Sequence, residues 1–187
     1  MNREQWLSDG KARLNDLFIE KGYSLPSNIA VSCSWPSKSI RKRIGEAWSP
    51  EVSPNGTYET FISPILDDPI RVLDVLTHEL IHHAVGVDKG HGKAFRDCAL
   101  SLGLEGKMTA TYAGEELTKR LNAIVEKLGP YPHGAIQPSD NKKKQGTRLI
   151  KCECPSCGYV ARTTNKWIDT YGAPICPCNH ETMDVPQ

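Results

Sequence analysis

Residues 78–92 read HELIHHAVGVDKGHG. His78 and His82 stand four apart, which on a helix puts both imidazoles on one face, one turn apart. Both can then reach a single Zn²⁺ at about 2.0–2.1 Å. Glu79 is offset by roughly 100° around the same helix. It can approach an open coordination position without being a ligand, and there take a proton from a metal-bound water that attacks a carbonyl. A catalytic zinc needs a third protein ligand. His91 is the best candidate, because Gly90 and Gly92 flank it and allow a tight return after a turn through residues 87–89. Asp97 and Glu105 are the acidic alternatives. His83 adjoins His82 and points roughly 100° away, so it is expected to support a ligand from behind or to face solvent.

The flanking residues make this stretch a helix independently of its histidines. Val72, Leu73, Leu76, Leu80 and Ile81 recur at helical spacing. Asp68 suits an N-cap, Pro69 is tolerated in the first turn, and Gly86 is a stop. The same logic predicts helices over about 3–21, 93–102 and 115–128. Before the central helix, residues 29–35, 44–48 and 58–62 read as strands, with a turn at Pro54-Asn55-Gly56. Three antiparallel strands between helices predict an α+β domain. Any side chain that adds a hydrogen bond to a developing oxyanion is sought among Tyr112, Tyr131 and His133.

Residues 129–147 are rich in proline and glycine and carry Lys142-Lys143-Lys144, a linker composition. Beyond them, Cys154-Pro-Ser-Cys157-Gly and Cys176-Pro-Cys178 have the spacing of a structural zinc ribbon, four thiolates crosslinking a segment too small for its own core. The favoured ligands are Cys154, Cys157, Cys176 and Cys178, with Cys152 and His180 as possible replacements. Lys142, Lys143, Lys144, Arg148, Lys151, Arg162 and Lys166 form one basic region. Tyr159 and Trp167 are able to stack on bases, so the tail is a candidate nucleic-acid contact, with single strands favoured.

Composition sets the outer bounds. At 187 residues with a net charge of +1, the chain offers no global attraction for nucleic acid. Seven cysteines, an odd number and mostly clustered, fit metal binding in a reducing compartment rather than a disulfide framework. No apolar run reaches membrane-spanning length and no signal-peptide core is visible. The expectation is a cytoplasmic monomer with no membrane partner.

Together these features resemble the SprT-like metalloprotease family, which includes the Spartan proteases. The resemblance lies in Thr77-His78-Glu79-Leu80-Ile81-His82, then Gly90-His91-Gly92-Lys93-Ala94-Phe95, then the C-terminal cysteine pairs. It implies a zincin-like core over residues 1–135, a basic linker over 136–148 and a zinc ribbon over 149–187. It assigns His78, His82 and His91 to a catalytic zinc, Glu79 to the base and Phe95 to packing behind the third ligand. It also implies cleavage of DNA-associated or DNA-crosslinked proteins. The chain departs from Spartan in its short span from His82 to His91, its C-x-C second pair and its lack of a long partner-binding tail. Its size and layout look like those of bacterial or phage members. Two other functions fit the same residues: a zinc-stabilised nucleic-acid-binding or regulatory module with weak or no proteolysis, and a small-substrate zinc peptidase without a DNA role.

Overall fold

Helix α1 (Arg3–Glu20) starts where the Asn2 side chain accepts the Gln5 backbone N–H at 2.8 Å, a cap worth about 1 kcal/mol. It buries Trp6, Leu7, Leu14, Leu17 and Phe18. The computed structural model describes residues 1–38, 42–137 and 149–185. Its architecture is α+β, and it divides into two compact units, Met1–Pro138 and Ser139–Gln187.

In the first unit α1 is followed by β1 (Ile29–Cys33), β2 (Gly45–Trp48) and β3 (Tyr58–Ile62). These three segments are strands, as their alternation predicts, but the sheet is not all antiparallel. Its order is β1-β3-β2, with β3 parallel to β1 and antiparallel to β2. Side-chain alternation specifies which residues face the core, not which strand lies in the middle. Here β3, with Thr60 and Ile62 fully buried, takes the central place.

Helix α2 (Pro69–Val85) is the axis of the unit. Asp68 caps it by accepting the Arg71 N–H at 2.7 Å. It packs against α1, the sheet, α3 (Lys93–Leu102) and α4 (Glu115–Leu128). Val72, Leu73, Leu76, Leu80 and Ile81 are buried in one core with the α1 residues, Phe95 and Leu102 of α3, and Leu117 and Leu121 of α4. Fully burying each such side chain contributes about 1.5–3 kcal/mol. At Gly10 the α1 backbone comes so near α2 that an added Cβ would lie 2.9 Å from Leu73 Cδ2. Between α3 and α4 runs a hairpin the sequence did not announce, β4 (Leu104–Lys107) paired with β5 (Ala110–Ala113). Glu105-Gly106-Lys107 breaks any apolar alternation there.

The second unit contains the antiparallel pair β6 (Ile150–Glu153) and β7 (Val160–Thr163), then the short helix α5 (Asn165–Tyr171). Its apolar core is small: Cys152, Cys154, Cys176 and Met183 are buried, with Ile150, Ala161, Ile168 and Val185 packed on them. Among the described residues no helix is long and apolar enough to cross a membrane.

Candidate metal centres

The α2 helix carries His78 and His82 on one face, and the chain returns to that face at His91. Gly86 (φ +100) ends the helix, a single 3₁₀ turn covers Val87–Lys89, and Gly90 (φ +50) turns the chain back. Both glycines occupy conformations that a Cβ would strain. One ring nitrogen from each of the three histidines lies within 4.8 Å of the others. His78 Nε2 and His91 Nε2 are 3.1 Å apart. Nitrogens that share a tetrahedral zinc lie about 3.3 Å apart, so this donor set fits that ion. Phe95, fully buried at the start of α3, packs behind all three rings with centroid distances of 4.6–4.8 Å. His82 Nδ1 is buried without a partner among the described residues. Burial, and then the neighbouring imidazoles, lower the pKa of His78 to about 3 and of His82 to about 4. Neutral imidazole is the form that binds a metal.

The acidic alternatives do not join this cluster. Asp97 pairs with Lys93 one turn earlier on α3, and Glu105 lies on β4 against Gly114. His83 does not face solvent. It is buried about 100° around α2 from His82, with Nε2 2.8 Å from Thr60 Oγ1 and its ring edge-on to Tyr58. It ties the helix to the sheet.

A cleft of about 630 Å³ opens at the histidines, lined by His78, Glu79, His82 and His91 from one side and by Lys42–Trp48, Arg71 and Thr109–Thr111 from the others. Glu79 is 7% exposed. Burial, with Glu46 nearby, raises its pKa to about 8. Glu46 behaves oppositely. Burial pushes it up, but the Ser37 backbone N–H (2.8 Å), the Ser37 hydroxyl (2.7 Å) and Arg43 outweigh that and hold it below the usual carboxylate range. Strand β2 passes directly over Glu79 at Gly45, where an added Cβ would lie 2.4 Å from Glu79 Oε1 and 2.7 Å from Val75 Cγ1. Gly45→Ala is therefore expected to lower stability by about 1–3 kcal/mol through overpacking. Denaturant unfolding checks this; an unchanged midpoint would show that Glu79 is not confined by the strand.

None of the three side chains expected to aid an oxyanion lines the cleft. Tyr131 is buried against Trp6 at a centroid distance of 4.9 Å. His133 contacts the Pro64 carbonyl at 2.9 Å and Arg3 at 3.3 Å, and Tyr112 is exposed on β5. Arg71 lines the cleft instead. Its guanidinium pairs with buried Asp74 and reaches the Thr111 carbonyl at 3.4 Å. The sequence could have flagged Arg71 only by its position two turns before His78 on the same helix.

In the second unit Cys154, Cys157, Cys176 and Cys178 bring their Sγ atoms within 4.8 Å of one another. Cys157 and Cys176 are 3.6 Å apart, and Cys176 and Cys178 3.3 Å. Thiolates on one tetrahedral zinc lie about 3.8 Å apart, so this set also suits zinc. Cys152 is not part of the cluster; it fills the small core from β6. His180 is a turn residue. Gly158 N–H donates to the Cys154 carbonyl at 2.9 Å, and His180 N–H donates to the Cys176 carbonyl at 2.8 Å. The two loops thus share one turn, with Gly158 (φ +73) and His180 (φ +57) in the same left-handed place.

Of the residues expected to meet nucleic acid, Lys142, Lys143 and Lys144 lie outside the described residues. Arg162 is exposed on β7. Lys166 Nζ sits 4.8 Å over the Trp167 ring, and half-exposed Trp167 stacks on exposed Tyr171 at 5.7 Å and 22°. Tyr171 was not anticipated, although it lies one helical turn after Trp167. No family model matches the chain, and no curated protein or solved structure matches it.

Proposed function

We propose that the chain is a zinc-dependent endopeptidase of the SprT-like kind, with a zincin-like core and a zinc ribbon, acting on proteins associated with or crosslinked to DNA. The observation that carries this is the convergence of His78, His82 and His91 beside buried Glu79 at the floor of an open cleft. When bound, zinc supplies Lewis acidity to a carbonyl oxygen and acidity to a water. A cation held by the three histidines would favour the ionised form of Glu79, which can then take the proton from the attacking water and return it to the leaving amine. Arg71, already held by Asp74, places positive charge at the cleft wall.

A polypeptide substrate is favoured by β2. It is an edge strand, and among the described residues nothing pairs with its outer side. An extended chain can add there by main-chain hydrogen bonds. DNA association is favoured by the stacked Trp167–Tyr171 pair beside Lys166, a platform for unstacked bases.

The test is cleavage of an unfolded protein by the full chain, with and without single-stranded DNA and with and without chelator. Cleavage that needs zinc and rises with DNA is expected. Cleavage of short peptides alone, indifferent to DNA, would point to a small-substrate peptidase. DNA binding with no cleavage, unaltered by loss of Glu79, would point to a regulatory module.

A further inference from the structure

Two of the three imidazoles present Nε2 to each other, but an imidazole has two nitrogens and only one lone pair when neutral. Binding a cation through Nε2 requires the hydrogen to sit on Nδ1. At His78 that nitrogen lies 2.7 Å from Thr111 Oγ1. Thr111 is buried on β5, and its own carbonyl is reached by Arg71. The hydroxyl can accept from Nδ1–H or donate to Nδ1, and only the accepting arrangement leaves the Nε2 lone pair for a cation. We propose that Thr111 is the positioning residue of the histidine centre: the β4–β5 hairpin selects the His78 tautomer whose Nε2 is free to bind a cation, and holds that ring in orientation. The inference rests on the metal-binding reading above, and it gives the hairpin a role beyond covering α2. Hydrogen bonds of this kind to a ligating histidine commonly set affinity by about 10- to 100-fold.

Valine and serine at position 111 separate the oxygen from the shape. Thr111→Val keeps the β-branched form and the backbone pairing with Gly106, but removes the acceptor. Thr111→Ser keeps the acceptor and loses a methyl group. Two measurements on the full chain decide the matter. In metal-free, ¹⁵N-histidine-labelled protein at neutral pH, His78 is expected to be the Nδ1–H tautomer in wild type and in Thr111→Ser, and to shift toward Nε2–H in Thr111→Val. In zinc titrations against a competing chelator, the histidine site is expected to weaken about 10- to 100-fold in Thr111→Val, with the cysteine site unchanged and Thr111→Ser close to wild type. A wild-type tautomer and affinity in Thr111→Val would overturn the proposal. So would equal losses in the valine and serine variants, which would assign the effect to packing. If the wild-type histidines took up no zinc, the metal reading would fall, while the tautomer measurement, made without metal, would still decide whether Thr111 controls His78.

Discussion

Glu79→Gln is expected to keep its zinc and its fold while hydrolysing peptide bonds about 10²- to 10⁴-fold more slowly, the usual span of a general base. Glutamine is nearly the same size, which matters because Glu79 is wedged between α2 and the β2 backbone at Gly45. The amide leaves no ionised group stranded, since no cation forms an ion pair with Glu79 among the described residues. What is lost is the ability to accept the water's proton. His78→Ala is the contrasting variant: it removes a ligand nitrogen and is expected to lose the metal along with the activity. Hydrolysis and zinc content measured together separate the two effects. Full activity in Glu79→Gln would refute the base assignment.

The second large effect is expected in the tail. Its buried core amounts to three cysteines and one methionine, far too little apolar area to offset the entropy of ordering the segment. A structural zinc contributes about 10–16 kcal/mol in comparably small domains. Cys176→Ser, or chelation, should therefore unfold β6, β7 and α5 and leave the signals of residues 1–137 in place. Amide NMR spectra of the full chain check this. Cys152→Ser is the control: it buries a hydroxyl at a cost of about 1–3 kcal/mol but should keep the metal. A second unit that stays folded in Cys176→Ser would show that its order does not depend on zinc.

Much of this arrangement was legible in the residues because helices announce themselves at both ends. Asp68-Pro69 and Gly86 bound α2, Gly103 ends α3 and Gly129 ends α4, and between them the apolar spacing is regular. The histidine cluster followed from the i,i+4 geometry and the glycines around His91. What escaped was non-local. Strand order depends on which strand finds partners along both edges, which side-chain alternation does not specify, so the parallel pairing of β1 with β3 was hidden. The solvent-facing alternative for His83 failed because β3 covers α2 at that point. Thr111, Gly45 and Glu46 reach the cleft only through pairing between distant segments, and nothing in their local sequence marks them. In the second unit, Cys152 and His180 could be separated from the four-cysteine cluster only once the paired turns at Gly158 and His180 were visible.

The zinc content of the purified full chain, measured beside His78→Ala and Cys176→Ser, tests the two-centre account most directly. Each donor cluster should hold its own ion, giving about two equivalents in the wild type and about one in each variant. A wild-type value near one with the second unit folded, or a His78→Ala chain with undiminished zinc, would contradict it.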